Sequence, residues 1–393
     1  MSTRIIFPSA VPVTVLLDPA DDVAVTRAAL AAHHLPAGRV TVHPAPAVRS
    51  QTLGFDILAA LGKSAELPGN WGKEGPPVWN TVAAWILALP VARLLVLRAH
   101  LLDAECWSRL LSVSKRTGVH LIAVCHTRRP PAVMRTALRH AEHHTVSADD
   151  VLGDLLDPAP ETAPPRRDGE GRWITVPALA YLAFHQDLPA CRCTPGPARH
   201  PYVPERAYAI DQVVHRLATR TAVPQLAAAL AIAIVTGAPA SHISTVHYSH
   251  LGPDATTLTL HDPFRTRRHG FASGCGTYTV PPWARPFLLA ADNLLHLSPR
   301  GDGSLLTSPQ HTLPALTAFA EHCRLRPPQP TPPRRQKKQK AAAPPPVQWY
   351  DGVLPPTLQR PTYEFGSYKQ WLDEAGHRTD AQSSRREPRP TRR

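Results

Sequence analysis

Two short clusters of basic residues are the side chains of this sequence best suited to bind a polyanion. The first cluster lies between two predicted strands and comprises Arg265, Arg267, Arg268 and His269. The second is flanked by prolines and comprises Arg334, Arg335, Lys337, Lys338 and Lys340. Such groups contact phosphate oxygens of nucleic acid without reading the base sequence. Both clusters predict contacts with double-stranded DNA; the alternatives are a solvated charged turn and a solubilising segment, respectively.

A third group of side chains has the donor atoms of a zinc site. It consists of His185, Cys191, Cys193 and His200, around a Pro-Gly-Pro turn. A C-x-C spacing without a second close pair is unlike that of common structural zinc sites. The sequence therefore favours a turn-rich loop with reduced thiols, and we expect no metal and no other cofactor. The alternative is an enzyme with an unfamiliar site around this loop, which metal analysis of the purified protein would test.

The stretch 94–124 contains an aliphatic strand, a helix and a second strand, and the first strand runs into Arg98-Ala99-His100. Over about residues 40–145 the sequence resembles AAA-type ATPases that assist transposases, in which this strand ends in an Asp-Glu pair. The resemblance implies a P-loop-NTPase-like fold in which the pair holds Mg²⁺ and polarises water. Here Arg98 stands in place of the pair, and a guanidinium neither ligates Mg²⁺ nor acts as a base.

The sequence also lacks the phosphate-binding loop G-x-x-x-x-G-K-[ST]. Its nearest glycine-lysine pair, Gly62-Lys63, has no preceding glycine at the required spacing and ends a predicted helix instead of opening one. We therefore expect no ATP hydrolysis. An ordinary α/β core with no relation to ATPases explains the same pattern of strands and helices.

The stretch 226–262 joins an Ala/Leu-rich helix, the turn Thr236-Gly237, a short helix with Ser241, an aromatic position at Tyr248 and a strand at 258–260. Over about residues 205–325 this order resembles the catalytic domain of tyrosine recombinases and phage integrases. The resemblance implies a DNA-binding fold that clamps duplex mainly through phosphate contacts, and it places the basic loop of Arg265 where the family often carries a DNA-contacting lysine.

The reactive groups of that family are missing. Strand cleavage needs a tyrosine nucleophile and arginines around the scissile phosphate, because the transition state concentrates negative charge on the phosphate oxygens. Pro239 stands at the position of the first arginine, and His242 replaces a glutamate of the next helix. His311 is not followed by the arginine of an H-x-x-R box, and the later tyrosines lie in a proline-rich segment. We expect no catalytic residue.

The elements that must position these groups divide the chain into four parts. Aliphatic runs that alternate with helical stretches over 1–157 predict an α/β domain with a parallel sheet. Residues 158–172 predict a linker, and 173–326 predict a mainly α-helical domain with a small antiparallel sheet. Residues 327–393 predict a basic, proline-rich tail that is mostly disordered.

Charge and composition restrict the function further. The 393 residues include 43 basic and 30 acidic side chains, for a net charge of +13, and the tail alone carries +7 of it. Such an excess favours an anionic partner, nucleic acid before membrane. The six scattered cysteines form no disulfide framework and no apolar run spans a bilayer, so we expect a cytoplasmic protein.

Both stretches resemble proteins that move DNA, and neither retains the reactive groups of those proteins. The sequence therefore predicts a non-catalytic DNA-binding accessory or regulatory protein of a mobile genetic element, an integrase-like pseudoenzyme with double-stranded DNA and a transposase or integrase as partners. The alternative is a protein-interaction scaffold whose partner carries the activity, without direct DNA binding.

Overall fold

The protein is described from a computed structural model in which the described residues are 13–45, 49–63, 78–148, 172–183, 196–199, 209–244, 246–260, 276–298, 305–306 and 313–327. All of them belong to one compact unit. The basic clusters at 265–269 and 334–340, and the zinc-site candidates His185, Cys191, Cys193 and His200, lie outside the described residues. So do the predicted linker and tail, except for Arg172 and Pro327.

A five-stranded parallel sheet forms the first region. Its strands are β1 (Val13–Leu17), β2 (Arg39–Val42), β3 (Arg93–Val96), β4 (His120–Cys125) and β5 (His143–Ser147). Their order across the sheet is β2-β3-β4-β1-β5, and every neighbouring pair is parallel. The predicted α/β fold with a parallel sheet is thereby confirmed.

Helices cover both faces of this sheet, as the aliphatic strands require. They are α1 (Val23–Ala31), α2 (Ser50–Ala60), α3 (Val78–Ala88), α4 (Ala104–Thr117) and α5 (Ala132–Leu138). The apolar side chains of α1 pack on one face, whereas those of α2, α3, α4 and α5 belong to the cluster on the opposite face. The chain thus leaves β1 over one face and leaves β4 over the other.

The second region is mainly helical. Its helices are α6 (Ile210–Thr219), α7 (Pro224–Thr236), α8 (Ala240–Ile243), α9 (Arg285–Leu297) and α10 (Leu313–His322). A small sheet of order β6-β8-β7 combines β6 (Gly196–Arg199), β7 (Thr257–Leu260) and β8 (Gly276–Thr279). The antiparallel pairing of β7 with β8 confirms the predicted small antiparallel sheet, and β6 adds a parallel neighbour to β8.

The two regions share one continuous cluster of buried apolar side chains. Helix α3 is apolar almost all round and lies between the sheet and α9, where the rings of Trp85 and Phe287 meet edge to face with centroids 6.2 Å apart. The Trp85 indole N–H donates to the Ala222 carbonyl at 2.8 Å. Such a helix is stable only when other elements cover it on every side, so the second region completes the core of the first.

Lys63 lies in the seam between the two regions. It is 4% exposed, its Nζ lies 3.7 Å from the centroid of the Trp85 ring, and it donates to the Ala218 carbonyl at 3.2 Å. Burial lowers the pKa of Lys63 from 10.5 to about 7. The lysine of the Gly62-Lys63 pair therefore faces the protein interior, away from any phosphate in solvent.

Candidate functional site at the carboxyl edge of the sheet

The strongest candidate site lies where β1 and β4 end side by side. We call the edge of the parallel sheet at which its strands end the carboxyl edge, and the edge at which they begin the amino edge. Because the chain continues from β1 over one face and from β4 over the other, a crevice opens between these two strand ends. Ligands of open α/β sheets bind in such a crevice.

Asp18 follows β1 directly and places a buried carboxylate in the crevice. Its side chain is 4% exposed, and Oδ2 lies 2.9 Å from Nδ1 of His126, which follows β4 directly. Both carboxylate oxygens also accept from the backbone N–H of Asp22, at 2.9 and 3.2 Å. A buried carboxylate is costly without such partners, and these bonds fix Asp18 between the start of α1 and the end of β4.

Asp21 brings a second carboxylate to the same imidazole. Its Oδ1 lies 3.0 Å from Nδ1 of His126, so two carboxylates converge on one ring nitrogen. The Asp21 backbone has a positive φ of 50°, and the next residue, Asp22, caps α1 by accepting from Ala24 N–H at 2.8 Å. Aspartate tolerates this left-handed conformation better than most residues. The turn directs Asp21 back toward the strand ends while α1 begins.

The His126 ring has these two carboxylates as its partners at Nδ1. The side chain is only 3% exposed, and Nε2 is buried without a hydrogen bond among the described residues. The ring of His100 meets it edge to face with centroids 5.8 Å apart, and His100 Nδ1 accepts from the His126 backbone N–H. Burial, and then electrostatic interaction with His126 and Arg98, lower the pKa of His100.

Arg98 follows β3 and is the residue that stands in place of the carboxylate pair of the AAA-type resemblance. It has a positive φ of 50°, and its guanidinium lies 3.9 Å from Oδ2 of Asp21. Both side chains are about half exposed, so the pair contributes little to stability. The carboxyl edge thus combines the partly exposed carboxylate of Asp21 with a buried Asp18-His126 pair, and this arrangement is suited to holding a cation or moving a proton.

Sequence reasoning did not identify Asp18, Asp21 and His126. The sequence does contain a signal, because carboxylates follow the first aliphatic strand directly and a histidine follows a later one. Asp18 and His126 are 108 residues apart, however, and only the adjacency of β1 and β4 brings them together.

The positions that carry the recombinase resemblance lie in the second region, where the contacts given below for Gly237 and Tyr248 are with residues of that same region. Gly237 has a φ of 66° and ends α7 by donating to the Ala233 carbonyl, the usual conformation of a glycine after a helix. Pro239 precedes α8, and the Tyr248 ring packs against His247 and His296.

The amino edge of the sheet has the opposite character. Arg39, Arg93 and His120 are register partners on β2, β3 and β4, and alternation along the strands places them on the α1 face. His144 on β5 lies on the same face, two residues further along the strands, in register with Thr14 and Ile122. The Thr14 hydroxyl lies 2.8 Å from Nε2 of His120 and 2.9 Å from Nε2 of His144. Burial, and then the charges of Arg93 and His144, lower the pKa of His120.

Three comparisons, with protein-family models, with curated proteins and with solved structures, find no match for this chain. Among the described residues, none of the helices combines the length and apolar character needed to cross a membrane.

Proposed function

We propose that this protein is a non-catalytic DNA-binding accessory or regulatory factor of a mobile genetic element, and that the amino edge of its parallel sheet contacts the phosphate backbone. The observation that carries the proposal is the distribution of charge across the sheet. Arg39 and Arg93 lie side by side at the amino edge, whereas at the carboxyl edge Asp18, Asp21 and Asp22 offset the charges of Arg98, Arg128 and Arg129.

Helix ends add further cations to the amino edge. Helices α4 and α5 precede β4 and β5, so they end at this edge; the basic residues at their ends are Lys115, Arg116, Arg139 and His140. Arg116 is engaged with Asn80 and the Leu297 carbonyl, and Glu142 is the carboxylate that directly precedes β5. The balance at this edge is positive, which favours a polyanion.

The dimensions of the row fit duplex DNA. Neighbouring strands lie about 4.8 Å apart, so the row from Arg39 on β2 to His144 on β5 extends over about 19 Å. Phosphates along one DNA strand advance by about 3.4 Å per base pair, and the row therefore covers about five or six base pairs. Arginine and histidine cations contact phosphate oxygens without reading the base sequence, so we expect phosphate contacts without base readout.

Two features of the sequence support the same partner. The clusters at 265–269 and 334–340 add basic groups, and the two resemblances both concern proteins that move DNA. With Arg98 in place of the carboxylate pair, we expect contact with DNA but neither ATP hydrolysis nor strand cleavage.

A salt titration of DNA binding by the full chain tests the proposal. Fluorescence anisotropy with a labelled duplex of arbitrary sequence should give measurable affinity at about 50 mM salt and a negative slope of log K against log salt, close to 0.9 per phosphate contact. Undetectable binding at this salt concentration, or binding without a salt slope, contradicts the proposal.

The same assay separates the basic clusters. Reversing the charges of Arg265, Arg267 and Arg268 to Glu should weaken binding more than deletion of 334–340 if residues 173–326 hold the duplex. A larger effect of the deletion would assign the binding to the basic segment 334–340.

The second candidate function is a protein-interaction scaffold, and α1 favours it. Val23 and Leu30 on this helix are 59% and 49% exposed, and their spacing of seven residues puts them on one face. Single exposed apolar residues are common, but two on the outer face of one helix suit a protein contact. Loss of a stoichiometric partner in Val23→Glu/Leu30→Glu, without a change in DNA affinity, would favour the scaffold.

A further inference from the structure

We propose that Asp18, Asp21 and His126 form a binding site for one six-coordinate divalent cation of the first transition row. The ligand atoms are a carboxylate oxygen of each aspartate and Nδ1 of the histidine, and they all lie within 4.8 Å of one another. The inference is independent of the proposed DNA binding, and it departs from the expectation of no cofactor that the sequence gives.

The distances between ligand atoms indicate the coordination geometry. Nδ1 of His126 lies 2.9 Å from the Asp18 oxygen and 3.0 Å from the Asp21 oxygen. In an octahedral site with metal–ligand distances of about 2.1 Å, adjacent ligand atoms are about 3.0 Å apart. In a tetrahedral zinc site with similar distances they would be about 3.4 Å apart. Both distances from Nδ1 therefore match adjacent corners of an octahedron, and the two carboxylate oxygens lie within 4.8 Å of each other, which suits either adjacent or opposite corners.

A proton on Nδ1 satisfies this arrangement less well than a cation does. One N–H group points along one direction, yet two carboxylate oxygens lie at nearly equal distances from the same nitrogen. The His126 side chain is 97% removed from solvent and has no hydrogen-bond partner at Nε2 among the described residues, so apart from the edge-to-face contact with His100 the two carboxylates are what holds the ring. A cation bonds all three atoms at once and neutralises both carboxylates.

The surroundings leave room for the other ligands. Asp21 is 54% exposed, so the side of the site that faces solvent is open, and water molecules complete the coordination there. The deeper ligands, Asp18 and His126, are held by the Asp22 N–H and by their places directly after β1 and β4. Two rigid strand ends and one turn thus preorganise the donor set. A mixed set of two carboxylates and one imidazole suits Mn²⁺ better than Ca²⁺ or Mg²⁺, which prefer oxygen alone.

The loop offers a matched pair of variants. Asp21→Asn removes a ligand charge at an exposed position where asparagine tolerates the left-handed backbone. Asp22→Asn removes the same charge one residue later and keeps the helix cap, because asparagine caps as well as aspartate. Thermal melts without metal should show all three proteins folded.

The experiment is a titration of the chelator-treated full chain with Mn²⁺, in which electron paramagnetic resonance measures the free ion. We expect the wild type and Asp22→Asn to bind Mn²⁺ with affinities within about threefold of each other, and Asp21→Asn to bind at least about tenfold more weakly. No binding at about 1 mM Mn²⁺, or equal binding by all three proteins through other histidines, overturns the inference.

A spectroscopic readout tests the histidine ligand separately. Electron spin echo modulation of the bound Mn²⁺ should show coupling to an imidazole nitrogen in the wild type, and this coupling should disappear in His126→Gln. Bound Mn²⁺ without nitrogen coupling in the wild type, or with the coupling unchanged in the variant, also overturns the inference.

Discussion

The two edges of the parallel sheet use histidine in opposite surroundings. At the carboxyl edge, His126 is buried and two carboxylates converge on one of its nitrogens. At the amino edge, His120 and His144 share the hydroxyl of Thr14 and lie beside arginines. The same side chain thus meets negative charge at one end of the strands and positive charge at the other.

This difference shows how a single sheet can present two kinds of site. The carboxyl edge has a crevice because the chain departs from β1 and β4 in opposite directions, and a crevice can bury and preorganise groups. The amino edge has a row of basic side chains instead, because the register partners Arg39, Arg93 and His120 lie side by side on one face. A crevice suits a small ligand, and a row suits an extended one.

The largest effect on stability is expected at the carboxyl edge, when Asp18 is replaced. Replacing it by alanine in Asp18→Ala removes the buried partner of His126 and the acceptor of the Asp22 N–H, and we expect the free energy of unfolding to fall by about 3 kcal/mol. Urea denaturation measures the change. Asp18→Asn keeps an acceptor oxygen and should lose less; equal losses in the two variants would show that the carboxylate charge has no role.

Lys63 lies at neither edge of the sheet, and its pKa shows the effect of burial on a charged side chain. With a pKa of 10.5 in the unfolded chain and about 7 in the folded one, folding releases its proton between these values. Stability therefore rises with pH above 7, by up to about 2 kcal/mol between pH 7 and pH 9, and the penalty is complete below pH 7. The Trp85 ring and the Ala218 carbonyl favour the ammonium and reduce this rise.

Urea denaturation at several pH values measures the effect of Lys63. The rise between pH 7 and pH 9 should disappear in Lys63→Met and persist in Lys115→Met, which removes an exposed lysine of the amino edge. A rise of the same size in Lys63→Met would assign the pH dependence to another group.

The amino edge is tested by its arginines. Arg39→Gln/Arg93→Gln should weaken DNA binding about tenfold, equivalent to about 1.4 kcal/mol, and should make the salt slope shallower by one to two phosphate contacts, at about 0.9 each. The matched control is Arg128→Gln/Arg129→Gln, which removes two exposed arginines that follow β4 at the carboxyl edge. Equal losses in both variants would mean that net charge, and not the row, binds DNA.

The smallest effect concerns the hydroxyl between the two histidines. Thr14→Val keeps the shape of the side chain but removes one donor and acceptor, and we expect a loss of about 1 kcal/mol because solvent reaches His144. Thermal or urea unfolding measures it. A loss as large as that of Asp18→Ala would show that the amino edge is as tightly organised as the carboxyl edge.

Aliphatic strands and long helices were predictable from the sequence, but β5 was not. Strands β3 and β4 lie inside the sheet and are aliphatic on both faces, so their sequences RLLV and HLIAVC indicate them. Strand β5 pairs with β1 alone, and its residues HHTVS are mostly exposed. Unlike β2 at the opposite edge, which is mostly buried, β5 buries little and needs few aliphatic residues, so the pattern that identifies aliphatic strands does not identify it.

The candidate site was predictable only in its parts. Asp18 and His126 each follow a strand that the sequence indicates, but β1 and β4 are neighbours because of the strand order, which depends on long-range packing. The aspartates at 18, 21 and 22 also resemble an ordinary helix start, and Asp22 is one. The role of Asp21 depends on its positive φ, which the sequence does not reveal because most aspartates have negative values.

The burial of α3 between the sheet and α9 restricts which truncations and exchanges of whole regions leave a stable protein. A fragment that ends at residue 148 would leave Trp85 without the Ala222 carbonyl and without Phe287, and would expose an apolar helix to water. The sheet region and the helical region must therefore be inherited together. A recombination event that exchanges one of them for a homologous region succeeds only if the incoming sequence carries a complementary surface for Trp85.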